Sequence, residues 1–150
     1  MKLSSGPVQL KLSIEGYQWP ENQSCRYDSN WLIIRLDVEH PEGGWTAFDP
    51  ALLTFEAKAL VNWLVHAAEP GCVRLEIGFL EPCLKLRFLP TESALRVYLR
   101  GELRPDRLRF EDAPQEFYLD FPIGSEGLEE CAGSFARMLE RFPERAAAGS

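Results

Sequence analysis

The stretch Leu84-Lys85-Leu86-Arg87-Phe88 alternates apolar and charged residues along its whole length. The same alternation recurs before it, at Val73-Arg74-Leu75-Glu76-Ile77, and after it, at Leu95-Arg96-Val97-Tyr98-Leu99-Arg100. Because side chains alternate between the two faces of a β-strand, the apolar residues of each stretch share one face and the polar residues the other. Antiparallel sheets commonly have one covered and one solvated face. The three stretches therefore predict an antiparallel meander over residues 72–100 with a charged outer face.

The rest of the chain shows the same alternation or a helical period. Further strands are predicted at residues 8–15, 31–39, 45–48 and 116–121. Apolar residues three and four apart predict two helices, one from about Thr54 as N-cap to Ala68 and one from after Ser125 to near Phe142. Asp49-Pro50 is predicted to form a turn that leads into the first helix. The predicted fold is α+β and two-layered, a mostly antiparallel sheet of about seven strands with both helices packed on its apolar face, in the order β-β-β-α-β-β-β-β-α.

The length and composition of the chain indicate one globular domain. Its 150 residues are 45% hydrophobic and 26% charged, which are ordinary values for such a domain. We expect the domain to span residues 1–145 and a disordered tail to follow at 146–150. No apolar run reaches the ~18 residues of a membrane span, and the first residues lack the apolar core of a signal peptide. We therefore expect a cytoplasmic protein whose four cysteines are free and reduced.

The net charge of −7 restricts the classes of partner. Proteins that bind nucleic acid or anionic membranes carry a basic surface, so neither kind of partner is expected. An acidic chain can bind a basic protein, because complementary charges accelerate encounter, although negative charge also serves solubility alone.

No catalytic constellation or cofactor motif is found in the sequence. His66, one of only two histidines, has Glu69 one turn on but too few other ligands for a metal site. Asp28, Asp49 and Glu81 lie near predicted turns. Paired carboxylates can hydrolyse glycosidic bonds, whereas turn and capping roles explain the same residues without catalysis. We expect no catalytic residue, metal or cofactor; the alternative is a ligand-binding or hydrolytic site that uses carboxylates near the sheet–helix edge.

A long loop at residues 16–30 contains residue types that anchor protein interfaces. Tyr17, Trp19 and Tyr27 lie there beside Asp28, with no regular periodicity. These aromatic side chains either contact a partner or fold back over the end of the core.

The charged face of the meander is a second candidate interface. Basic residues exceed acidic ones on this face, and Tyr98 lies among them; the basic residues are Arg74, Lys85, Arg87, Arg96 and Arg100. Cross-strand ion pairs explain such a face adequately. A partner surface is the sharper alternative, because interfaces favour Arg and Tyr.

Five segments of the sequence are more specific than its composition, because they occur in a particular order and spacing. They are Ile14-Glu15-Gly16-Tyr17-Gln18, Asp28-Ser29-Asn30-Trp31-Leu32, Asp49-Pro50-Ala51-Leu52-Leu53-Thr54, Phe79-Leu80-Glu81-Pro82-Cys83-Leu84 and Leu139-Glu140-Arg141-Phe142-Pro143. In this order the segments resemble the WapI-type immunity proteins of bacteria, over roughly residues 8–143. Trp31, and Trp63 in the first helix, are expected to pack in the core.

The resemblance implies a protein encoded beside a polymorphic toxin that is used in contact-dependent competition. Such a protein binds the toxin's C-terminal domain in the cytoplasm and blocks it. We therefore expect a non-enzymatic immunity protein, a monomer or weak homodimer, whose partner is the cognate toxin domain. The residues expected to contact that partner are Tyr17, Trp19, Tyr27, Asp28, Arg74, Arg87, Arg96 and Tyr98. A ligand-binding or hydrolytic domain and an interaction module with a housekeeping partner remain as alternatives.

Overall fold

The computed structural model describes residues 1–21, 24–105 and 116–147. These residues form an α+β fold of eight strands and two helices, which confirms the predicted class. The elements are β1 (Lys2–Ser5), β2 (Val8–Tyr17), β3 (Trp31–Glu39), β4 (Trp45–Leu53), α1 (Thr54–His66), β5 (Glu76–Gly78), β6 (Leu84–Leu89), β7 (Ala94–Leu99), β8 (Phe117–Pro122) and α2 (Ser125–Leu139). β1 is the strand that the sequence did not predict. Within the described residues, no helix is both long enough and apolar enough to cross a bilayer.

The strands form two antiparallel sheets rather than the single sheet expected. The first has the order β1-β2-β3-β4 and the second β5-β6-β7-β8, so neighbours in sequence pair in each. Both sheets and both helices share one hydrophobic core, in which Phe121 of β8 and Phe135 of α2 are fully buried. The helices also pack against each other. Alternation shows which face of a strand is covered but not which strands pair, and α1 separates the two meanders along the chain.

β4 is longer than predicted, and the turn predicted at Asp49-Pro50 is wrong. Asp49 pairs with Ile34 and Leu52 pairs with Leu32, so two residues of β4 oppose one residue of β3 between these pairs. This is a β-bulge, and a bulge is one of the few places in a sheet that accept proline. The strand therefore continues through Pro50.

α1 begins at Thr54 with Leu53 as its N-cap, so the predicted capping role of Thr54 is also wrong. Thr54 is instead buried, and its hydroxyl donates a hydrogen bond to Asn30 Oδ1 over 2.9 Å. The helix ends at His66, two residues earlier than expected.

β5 is shorter than the alternation predicts. Val73, which was expected to face the core, lies before the strand and is 96% exposed. The chain there lies against α1, because the indole N–H of Trp63 donates to the carbonyl oxygen of Arg74 over 2.9 Å. Trp63 is buried, as expected, whereas Trp31 is only partly buried.

The outer edge of β5 is bound at both ends by side chains of α1. The carbonyl of Leu75 accepts the N–H of Phe88 in β6 over 2.8 Å, so alternate residues of the segment direct their backbone groups away from β6. Leu80 is one of these residues, and its N–H donates to Glu56 Oε2 over 3.2 Å. The indole contact of Trp63 occupies the opposite end of the same edge.

Candidate partner-binding surfaces

The loop between β2 and β3 is fastened by the C-terminal end of the described chain. We call residues 17–21 and 24–30, which begin at the last residue of β2, the aromatic loop, and residues 143–147 the C-terminal strap. The guanidinium of Arg145 donates to three backbone carbonyls of the loop: Nη2 to Trp19 (3.1 Å), Nη1 to Pro20 (2.7 Å) and Nε to Ser29 (2.7 Å). A planar fork of five N–H donors suits Arg for such a site. One side chain therefore joins the beginning of the loop to its end.

Asn30 makes every hydrogen bond that its side-chain amide can make. Its Nδ2 donates to the carbonyls of Arg26 (2.6 Å) and Arg145 (2.8 Å). Its Oδ1 accepts from the backbone N–H of Arg145 (2.7 Å) and from the Thr54 hydroxyl (2.9 Å). Asn30 is fully buried, so each of these partners satisfies a group that water cannot reach. Loop, strap and the start of α1 thus meet at one amide.

Tyr17 lies inside the junction between loop and strap. Its hydroxyl donates to the carbonyl of Pro143 over 2.5 Å, and its ring meets Phe142 edge-on with centroids 5.6 Å apart. The Arg145 guanidinium lies over the same ring, 3.8 Å from its centroid. Burial raises the pKa of Tyr17, and the positive charge of Arg145 partly opposes that rise. Tyr17 therefore folds back against the protein and is not free to contact a partner.

Trp19 and Tyr27 face outward from this fastened loop. They are 41% and 50% exposed, and Tyr27 rests edge-on against Phe55 of α1 with centroids 5.8 Å apart. Arg26 lies 4.2 Å above the same Phe55 ring and forms an ion pair with Glu144 of the strap (3.0 Å). The junction therefore holds two aromatic side chains at the surface.

Asp28 lies next to Tyr27 on the same surface. Its backbone N–H donates to Cys25 Sγ over 3.3 Å. Among the described residues its carboxylate has no ion-pair partner. Through the carbonyls that it binds, Arg145 joins the backbone at Trp19 to the backbone at Ser29, which directly follows Tyr27 and Asp28.

The charged face of the second sheet is internally paired around Arg96. Its guanidinium makes two hydrogen bonds to Asp120 of β8, at 2.8 and 2.9 Å, and lies 4.0 Å above the Tyr118 ring. The hydrogen bonds to Asp120 raise the pKa of Arg96 further above its already high value.

Tyr98 belongs to this face by register but is only 5% exposed. The ammonium of Lys85 lies 4.2 Å above its ring and pairs with Glu76 (3.4 Å) and Glu116 (3.9 Å). Glu116 also pairs with Arg100. This network of charged side chains therefore shields Tyr98 from solvent and from a partner.

Arg74, which precedes β5, and Arg87, in the inner strand β6, remain exposed. Neither has an ion-pair partner among the described residues, although Glu76 lies opposite Arg87 in the ladder. Of the four sheet residues expected at a partner surface, these two are accessible and the other two, Arg96 and Tyr98, are engaged with their neighbours.

Two of the three carboxylates considered for catalysis come together. Ligand atoms of Asp49, Glu81 and Cys83 all lie within 4.8 Å of one another, and Asp28 is not part of this group. The Cys83 thiol donates to Asp49 Oδ2 over 3.3 Å. Burial raises the pKa values of both Asp49 and Cys83.

A groove of about 350 Å³ lies between α1, the end of α2 and the strap. Apolar side chains such as Val61, Leu139 and Phe142 form much of its wall. Neither Asp49 nor Glu81 lines it. The paired carboxylates and this groove are therefore separate features.

The residue types in the sequence indicate the aromatic loop but not Arg145, the residue that binds its backbone. Arg145 was placed at the last position of the domain with no role. Its contacts reach residues more than 100 positions away, so no local period or spacing could reveal them. The asparagine of the Asp28-Ser29-Asn30-Trp31 segment was the one available signal.

Comparison with known families gives a match over almost the whole chain. A model described as the immunity protein WapI-like family matches residues 2–143. The match includes the aromatic loop and both sheets, and it ends before Arg145. No curated protein matches the chain.

Proposed function

The chain belongs to the WapI-like immunity protein family, and from this we propose that it neutralises a toxin by binding the toxin's C-terminal domain. The toxin is of the polymorphic kind used in contact-dependent competition, and the complex forms in the bacterial cytoplasm. Neutralisation is stoichiometric, because the chain occludes its partner and catalyses no reaction.

The aromatic loop supports this proposal best. Trp19 and Tyr27 project from a loop whose backbone carbonyls are held by hydrogen bonds from Arg145 and Asn30. Large aromatic side chains anchor protein interfaces most strongly when they are held in place before binding. We assign Trp19, Tyr27 and Asp28 to direct contact with the toxin, and Tyr17 to support of the loop from within.

The charged sheet face is the second surface that we consider for the same partner. Arg74 and Arg87 are the accessible residues there, and Arg96 and Tyr98 contribute through the network that orders the face. Exposed rim charges change association rates more than affinity. We therefore expect substitutions on this face to weaken neutralisation less than substitutions on the loop.

Co-expression with the toxin domain encoded beside this chain tests the proposal. Wild-type chain should restore growth, and Trp19→Ser should lose much of this protection. Phe48→Ser is the matched control, because Phe48 is an aromatic residue on the first sheet that is at least as exposed, at 51% against 41% for Trp19. Equal cell death with and without the wild-type chain would contradict the proposal, and equal loss in both variants would move the interface away from the loop.

The alternative is a hydrolytic or ligand-binding domain, and the convergence of Asp49 and Glu81 favours it. A double variant, Asp49→Asn with Glu81→Gln, separates the two functions. If occlusion alone neutralises the toxin, the folded double variant protects cells as well as the wild type. Loss of protection by a variant that still binds the toxin would favour chemistry at the carboxylates.

A further inference from the structure

We infer that the C-terminal strap pre-organises the aromatic loop for a basic segment of the partner, and that Arg145 is the positioning residue. This inference rests on the proposed function for the identity of the partner. The organisation of the loop can be tested on the free protein.

The strap determines the loop conformation because its bonds go to the loop backbone. Three carbonyls bind one guanidinium, and a fourth loop carbonyl, that of Arg26, binds the amide of Asn30. Backbone contacts of this kind fix the path of the chain and leave the side chains of Trp19 and Tyr27 at the surface. Apart from a short 3-10 helix at Asp28–Asn30, the described part of the loop has no helix or strand after Tyr17, and such a segment would otherwise populate many conformations.

The charges around the loop favour a basic partner. The cations that belong to the loop and to the strap are already engaged, since Arg26 pairs with Glu144 and Arg145 binds carbonyls. Glu21 and Asp28 have no ion-pair partner among the described residues and are at least partly exposed. A segment with Arg or Lys side chains would meet these carboxylates and could also stack on the two exposed rings.

Hydrogen–deuterium exchange of the free protein tests the strap. In Arg145→Ala, we expect loop amides to exchange about tenfold faster or more, while amides of β6 and β7 keep their wild-type rates. Arg145→Lys should behave similarly, because an ammonium cannot span three carbonyls. Arg141→Ala is the control, since Arg141 lies in the same C-terminal region and is exposed. Unchanged loop exchange, or equal acceleration in β6 and β7, would overturn the inference.

Binding kinetics test the partner. Arg145→Ala should weaken binding of the toxin domain about tenfold, if about one molecule in ten keeps the competent loop. Asp28→Lys should slow association more than Glu92→Lys, which makes the same charge change at an exposed position in the turn between β6 and β7. If both variants slow association equally, the inference that the partner segment is basic is overturned. If the wild type does not bind the toxin at all, the proposed function and the basic partner fail together, whereas the exchange result stands independently.

Discussion

The aromatic loop and the charged sheet face are both polar regions, but they are stabilised in opposite ways. The loop depends on buried groups such as Asn30, whose partners are mostly backbone atoms. The sheet face depends on partly exposed side chains, such as Arg96 and Asp120, that bind each other. An unpaired buried polar group costs about 1–3 kcal/mol, whereas exposed ion pairs typically contribute about 0–1 kcal/mol. The loop is therefore a single cooperative unit, and the face is a set of weakly coupled pairs.

This difference bears on function. A region in which one amide and one guanidinium make most of the side-chain hydrogen bonds holds one shape, which suits recognition of one partner. A region of exchangeable ion pairs tolerates substitution and keeps its shape approximately. We therefore expect the two regions to respond very differently to single substitutions.

Replacing the central amide should have the largest effect. Asn30→Ala leaves four polar groups without partners in a buried position, so we expect the free energy of unfolding to fall by about 3 kcal/mol. Urea denaturation followed by fluorescence measures this change. Asn62→Ala, at an exposed position of α1, should change stability by no more than about 0.5 kcal/mol. A similar small change in Asn30→Ala would mean that the loop is not the cooperative unit described above.

The buried Cys83 thiol, which donates to Asp49, should have an effect on stability of intermediate size. This effect should depend on pH. Because burial raises the pKa of the Cys83 thiol, the folded protein keeps a proton that the unfolded chain loses above about pH 8.5. The corresponding stability is present below that pH and is lost as pH rises. We expect the free energy of unfolding to fall by about 1 kcal/mol between pH 9 and 10.

The matched variant for this pH dependence is Cys83→Ala. Its stability should depend less on pH over the same interval, because the buried thiol is gone. Denaturation curves at several pH values compare the two proteins. Identical pH profiles would show that other groups cause the decline.

A double-mutant cycle on Arg96 and Asp120 should give a smaller energy. The pair has good two-pronged geometry but is partly exposed, so we expect a coupling of about 0.5–1 kcal/mol that decreases in 1 M NaCl. A coupling above about 2 kcal/mol would make the sheet face as cooperative as the loop.

The smallest effect is expected at Arg87, an exposed arginine of the sheet face. Arg87→Gln should leave stability unchanged within about 0.5 kcal/mol, because the side chain is exposed and has no ion-pair partner among the described residues. Thermal denaturation checks this expectation. A clear loss of stability would reveal a contact that the geometry of the face does not show.

Strands with strict alternation were predictable from the sequence. β3 was predicted with its observed bounds, Trp31–Glu39, because apolar residues occupy every second position from Leu32 to Val38. The predicted strand at residues 45–48 ends too early, because Asp49-Pro50 is a local signal for a turn where the fold has a bulge. β5 was overextended to include Val73, because α1 draws the preceding chain away from the sheet.

The candidate surfaces were predictable only in part. Residue types located the aromatic loop, but the contact between Asn30 and Arg145 joins positions 115 apart and has no local signature. Likewise, alternation placed Tyr98 on the outer face but could not show that Lys85 covers it. Periodicity predicts the direction of a side chain, whereas long-range packing determines whether that side chain is accessible.

The contacts between α1 and the edge of β5 affect the tendency of the protein to aggregate at high concentration. An uncovered edge strand offers backbone donors and acceptors to other chains and can initiate aggregation. Here the strand has three residues, and Trp63 and Glu56 bind the backbone two residues before and two residues after it, at Arg74 and Leu80. Little contiguous edge is left for an intermolecular ladder. In addition to packing in the core, α1 therefore opposes polymerisation through the edge of β5.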